Sequence, residues 1–146
     1  MKKEYDQAIE KFKKSIEMDN QNVAAYYNLG NAYLLIDRKR DAIEAFEQTL
    51  KLDPDNIEWK LMVAGIYYDQ KDYENTLKHT SDTLKKDPNS IEAMMMQVQC
   101  YEALQQYEDA LKKAKKIELL KPDYEDIIDK VKQLQDMVKK ETETGK

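Results

Sequence analysis

The sequence predicts an all-α solenoid of stacked helix–turn–helix repeats closed by a C-terminal capping helix, and three observations predict it. The only prolines, Pro54, Pro88 and Pro122, recur every 34 residues. Each period holds two stretches of helix length whose apolar residues keep a three-to-four spacing. The stretches of successive periods are joined by "LDPDN" and "KDPNS", where Asp and Asn beside Pro favour turns and helix starts over helix interiors. A proline removes a backbone donor and clashes inside a helix, so evenly spaced prolines punctuate a periodic fold. A helical hairpin with one apolar face cannot cover that face alone, and neighbouring hairpins must stack.

Residues 1–22 read as the second half of a partial repeat. Ala8, Phe12 and Ile16 stand on the offsets of Ala42, Phe46 and Leu50, with Asn20 at the proline position. Residues 23–56 form the first full repeat: Tyr26, Leu29, Tyr33 and Ile36 share one helical face, "DRKRD" interrupts it, and Ala42, Ile43, Phe46 and Leu50 resume it. Residues 57–90 and 91–124 repeat this frame, with Tyr67 and Tyr101 on the offset of Tyr33, Leu84 on that of Leu50, and Thr76 and Ala110 on that of Ala42. In residues 125–141, Ile127, Ile128, Val131, Leu134 and Val138 make one stripe with Lys, Asp and Gln opposite, which suits a cap over the last repeat. Residues 142–146 are expected to fray. At the other end no cap precedes the first helix, so part of the stripe of Tyr5, Ile9, Phe12 and Ile16 is expected to lie uncovered. Such a patch signals a partner or an excision. Excision from a longer array is the preferred reading, and a self-association edge giving a homo-oligomer is the other.

Composition narrows the function. The 146 residues have the length of one ordinary domain, and 41% hydrophobic content supports a continuous core although 36% of the residues are charged. The net charge of -5 comes from 29 acidic and 24 basic residues mixed along the chain, so no basic block is offered to nucleic acid or to an anionic membrane surface. No stretch approaches the roughly 20 apolar residues of a membrane span. The single cysteine, Cys100, excludes an internal disulfide framework, and "MKKEYDQAIE" has no apolar run of signal-peptide length. A cytoplasmic location is expected.

Residues with chemical potential are few. His79, in "LKHTSDTL", has Ser81 and Asp82 close by, but neighbours at i+2 and i+3 of one helix do not converge as base, nucleophile and orienter; a solvent-facing helical histidine is expected. Cys100 reads as a packed small thiol, since no histidine or cation cluster accompanies it. Asp53 and Asp55 lack the ordered ladder of a calcium loop and read as turn formers. Three glycines, Gly30, Gly65 and Gly145, make no phosphate cradle. No enzyme activity, cofactor or metal is expected.

"YYNLGNAYLLIDRKRDAIEAFEQTLKLDPDN" resembles a tetratricopeptide repeat, with Tyr26, Leu29, Gly30, Tyr33, Ala42, Phe46 and Pro54 on the family's recurring positions. Later copies depart from the pattern. The second has Lys60 at an aromatic position, Val63 and Ala64 at the Leu-Gly pair, and Thr76 and Thr80 for Ala and an aromatic; the third has Gln97, Val98 and Ala114. Glycine is absent from the turn inside each repeat, where Asp37, Lys71 and Gln105 stand.

The resemblance implies a right-handed solenoid whose first helices line a concave groove for a partner peptide or helix. By matching offsets it implies groove residues Tyr27, Asn28, Asn31, Leu34 and Leu35 in the first repeat. The second repeat supplies Glu58, Leu61, Met62, Gly65, Tyr68 and Asp69, and the third Glu92, Met95, Met96, Gln99 and Glu102. Methionines give adaptable apolar contacts, and the acidic patches suit an amphipathic segment with basic residues. In "AMMMQ" Met94 is expected to be core. The family's clamp for acidic chaperone tails is not supported, because its basic positions hold Glu58, Met62, Glu92 and Met96. The chain therefore reads as a non-catalytic scaffold or adaptor, and alternatively as a self-associating structural module.

Overall fold

The structure, a computed structural model, describes residues 2–124 and 126–144. Among them lie eight helices and no strand: α1 (Lys2–Met18), α2 (Val23–Leu35), α3 (Lys39–Leu52), α4 (Ile57–Asp69), α5 (Tyr73–Lys86), α6 (Ile91–Ala103), α7 (Tyr107–Leu120) and α8 (Ile127–Thr144). The architecture is the all-α helical repeat that the proline period predicts. Helix α8 runs on to Thr144, past the 125–141 span expected for the cap; Gly145 and Lys146 lie outside the described residues.

The 34-residue period sets where helices begin. The side chain of Asn22 accepts from the Ala25 amide at 3.0 Å, that of Asn56 from Trp59 at 3.1 Å, and that of Ser90 from Ala93 at 3.3 Å. Each satisfies an amide that the first turn of a helix leaves unbonded. Asp72 caps α5 in the same way, accepting from the Asn75 amide at 3.1 Å.

The period also sets where the first helix of each repeat ends. Arg38, Asp72 and Gln106 donate their amides to the carbonyls of Tyr33, Tyr67 and Tyr101, while Asp37, Lys71 and Gln105 donate to Leu34, Tyr68 and Glu102. This paired return closes a helix when the residue between adopts a left-handed backbone. Asp37, Lys71 and Gln105 do so, at φ 59°, 61° and 58°. These are the positions where the family's glycine is missing, and a side chain carries a steric cost there. Lys71→Gly and Gln105→Gly should each stabilise the fold by about 0.5–1 kcal/mol, measured as a rise in urea midpoint. Asp37→Gly should gain less, because Asp tolerates this region better.

The chain divides into two compact units, residues 1–66 and 67–146. In the first, α1 packs on α2 and α2 on α3. Ile9, Ala25, Leu29, Tyr33, Ala42, Phe46 and Leu50 are buried there. Gly30 permits the close approach of α2 and α3: a Cβ on it would lie 2.6 Å from the Phe46 ring.

In the second unit α6 packs on α5 and on α7, and α7 packs on α8. Met94, Val98, Ala110, Ala114 and Ile117 form one apolar core with Ile127, Val131 and Leu134 of α8. The burial of Met94 agrees with its sequence reading. The α5 side is different, since Thr76, His79, Thr80 and Thr83 are buried on α5 and Gln97 on α6. Gln97 Nε2 donates to Thr80 Oγ1 at 3.2 Å and to Ser81 Oγ at 2.9 Å. Thr80 in turn donates to the Thr76 carbonyl at 2.8 Å.

Candidate partner-binding surface

The clearest gathering of the expected groove residues is in the second unit. Glu92, Met95, Met96 and Gln99 of α6 line an open cleft of about 380 Å³ together with Ile91 and Tyr124. They follow one another at i, i+3, i+4 and i+7, so they share one face of the helix. Met95 and Met96 are half-buried while Glu92 and Gln99 are exposed, giving an apolar floor with a polar margin.

Tyr124 was not among the expected residues, yet the sequence carries a signal for it. The offset that supplies the caps Asn22, Asn56 and Ser90 arrives at Tyr124 in the next period. There it contributes an aromatic wall to the cleft, and the Lys121 ammonium lies 5.6 Å from its ring centre. Glu102 is placed otherwise. Its carboxylate accepts from Lys130 Nζ of α8 at 3.0 and 3.3 Å, an ion pair holding α8 to α6. Farther along the unit, Tyr68 is half-buried with its ring 5.7 Å from that of Tyr73, and Asp69 is exposed. Burial, then the neighbouring Tyr73, pushes the Tyr68 phenol above its ordinary range.

In the first unit the expected residues are less uniform. Asn28, Leu35 and Glu58 are exposed, Leu35 to 63%. Asn31, Leu34, Met62 and Gly65 are half-buried. Tyr27 is engaged by aromatic neighbours, its ring centre 6.0 Å from Phe46 and 5.9 Å from Trp59, the latter stacked at 27°. Leu61 corrects the sequence reading, because it is a core residue and offers no surface. The expected self-association edge is corrected at one position too. Ile9 is 4% exposed in the first unit, while Tyr5, Phe12 and Ile16 are half-buried. Helix α1 packs on α2, and the side of its stripe turned to that joint is covered.

His79 is not solvent-facing, as its sequence neighbourhood predicts, but buried, with its ring stacked on Tyr67 at 5.6 Å and 18°. Thr76, His79, Thr80 and Thr83 keep the i, i+3, i+4, i+7 spacing of a buried stripe, and their polarity concealed it. Cys100 is fully buried, and burial pushes its thiol up to about 11 against the opposing effect of a Thr76 hydrogen bond. The folded state thus holds this proton where the unfolded chain, starting from 9.0, has begun to lose it. Stability should fall as pH rises from 9.0 toward about 11, and Cys100→Ala should remove that part of the fall, read from urea midpoints across the window. Among the residues described, no group of three His, Cys, Asp or Glu side chains could hold a metal ion. Nor is any helix among them long and apolar enough to cross a membrane.

A family model for the tetratricopeptide repeat matches residues 1–66, and one described as anaphase-promoting complex, cyclosome, subunit 3 matches residues 40–117. The chain belongs to the tetratricopeptide repeat family. No curated protein sequence matches it. Among solved structures, MamA is similar at a TM-score of 0.77 and 19% identity, over 93% of this chain and 74% of that one. YrrB, described as a repeat protein of this kind with an unusual peptide-binding site, is similar at 0.73 and 20% identity, over 90% of this chain and 68% of that one. The first tetratricopeptide domain of Spaghetti (RPAP3), bound to the HSP90 peptide SRMEEVD, is similar at 0.69 and 18% identity, over 82% of this chain and 95% of that one. At such identities the likeness is one of fold.

Proposed function

We propose that this tetratricopeptide repeat chain is a non-catalytic scaffold or adaptor that takes a partner peptide or amphipathic helix on the exposed faces of its first-type helices. The observation that carries the reading is the cleft of α6, where Met95, Met96, Glu92, Gln99 and Tyr124 meet. Two flexible thioethers beside an aromatic wall accept a long apolar side chain, and Glu92 at the margin favours a basic neighbour. Solved structures of the family fold include one with a bound peptide and one described by its peptide-binding site, which supports recognition of peptides in general. An acidic tail like that of the HSP90 complex is not the expected ligand, because Glu92 and Glu58 would repel it. A buried free thiol suits a reducing, cytoplasmic setting.

Panning a random peptide library against the full chain tests this. Peptides enriched on the wild type should carry an apolar anchor beside Lys or Arg and bind Met96→Glu at least about tenfold more weakly, with helical content unchanged. Glu92→Lys should shift the preference toward acidic peptides. Enriched acidic peptides on the wild type, or equal binding to Met96→Glu, would overturn the reading.

A second reading, a self-associating structural module, is favoured by Tyr5, Phe12 and Ile16, which α1 leaves half-buried.

A further inference from the structure

The consecutive methionines of α6, Met94, Met95 and Met96, are not equally open to solvent. Met94 is fully buried in the core of the second unit. Met95 and Met96 are half-buried and line the cleft of about 380 Å³. A water takes about 30 Å³ of liquid and hydrogen peroxide little more, so the cleft admits either to the two thioethers. The only cysteine gives a peroxide no easier target. Cys100 is fully buried, and burial pushes its pKa up to about 11, which keeps the sulfur from the thiolate form that peroxides attack. A thioether needs no ionisation to react, so the methionines are the soft nucleophiles that this chain presents. Met18 of α1 and Met137 of α8 are exposed as well, but neither lines the cleft.

We propose that Met95 and Met96 form a sulfoxidation site for hydrogen peroxide, through which the oxidant switches off partner binding in the α6 cleft. The inference rests on the reading of that cleft as a peptide site and names its regulation. The thioether sulfur attacks one oxygen of the peroxide, and an S–O bond forms as the O–O bond breaks. The proton on the transferred oxygen passes through solvent to the departing hydroxide, which leaves as water. Sulfur gives up an electron pair and the peroxide takes it, so the products are one sulfoxide and one water. The change turns a flexible apolar side chain into a polar one that accepts hydrogen bonds. Seating an apolar anchor on that floor strips water from the sulfoxide oxygen and returns no donor, which weakens binding by about tenfold or more. Methionine sulfoxide reductases return both epimers to the thioether, so the switch is reversible. Met94, in the core, stays out of reach and keeps α6 in place while its neighbours change.

Partial oxidation of the full wild-type chain tests this. Hydrogen peroxide is added, then destroyed with catalase, and the chain is passed over an immobilised methionine-free peptide from those enriched on the wild type. Peptide mass spectrometry reads the sulfoxide at each methionine in the bound and unbound fractions. Met95 and Met96 should oxidise well ahead of Met94, and their sulfoxides should be depleted about tenfold or more from the bound fraction. Met18, 89% exposed and outside the cleft, marks the dose: it should oxidise readily and divide evenly between the fractions. Helical content by circular dichroism should be the same before and after oxidation, and the reductases should restore binding. A wild type on which no peptide is enriched overturns the reading of the cleft, and the inference with it. Where peptides do bind, any of four results overturns the inference alone. The sulfoxides of Met95 and Met96 divide evenly, form no faster than that of Met94, form with loss of helical content, or leave binding unrestored once reduced.

Discussion

Phe46→Ala should cost the fold about 3–5 kcal/mol, the most damaging single truncation in the first unit. The ring is fully buried, and it fills the space that Gly30 leaves open on α2. Removing it takes away the largest apolar contribution to the α2–α3 joint and leaves a cavity that two regular helices cannot collapse into. The complementary change, Gly30→Ala, tests the same contact from the other side. Alanine favours a helix by about 1 kcal/mol over glycine, but its Cβ must displace a buried ring at a cost of about 1–3 kcal/mol. The net expectation is a modest loss. In the Phe46→Ala background the Cβ enters a void, so Gly30→Ala should become stabilising. Urea midpoints of the two single variants and the double variant measure this reversal. Additive losses would show that Gly30 and Phe46 do not act as a pair.

The same pair explains how much of the fold the sequence carries. In the third repeat its two offsets hold Val98 and Ala114, both in the core of the second unit, so a larger residue on the first helix is matched by a smaller one on the second. The repeat register survives the loss of Gly and Phe because period and summed size are kept, and the helix order could be read from prolines, caps and apolar spacing. Direction of individual side chains was harder to read. Leu61 shares its identity with groove residues but turns inward, and His79 looks like a surface residue until its spacing with Thr76, Thr80 and Thr83 is recognised. Tyr124 was missed for another reason: it belongs to the segment between α7 and α8 and not to a first helix, and only the broken series of caps points to it.

Gln97→Leu should stabilise the second unit by about 1–3 kcal/mol, although it deletes two hydrogen bonds. Gln97 stands on the offset of Leu29 and Val63 and is 1% exposed. Its Nε2 is satisfied by Thr80 and Ser81, but its Oε1 is buried with no hydrogen-bond partner. An unpaired buried carbonyl carries its full desolvation penalty, and leucine of similar volume removes that penalty while adding apolar burial. Little is lost on the α5 side, since Thr80 gives up an incoming donor but still donates its own proton to the Thr76 carbonyl at 2.8 Å. Thr80→Val should have the opposite sign, because it deprives the Gln97 amide of a buried acceptor and keeps the unpaired oxygen. Putting Gln97→Leu and Thr80→Val together removes both partners, and the double variant should be at least as stable as the wild type, as with buried polar pairs replaced by apolar groups of like shape. If Gln97→Leu lowers the urea midpoint instead, the oxygen is being satisfied by a buried water whose loss outweighs the apolar gain. The polar layer between α5 and α6 would then be a stabilising network and not a tolerated departure from an apolar repeat.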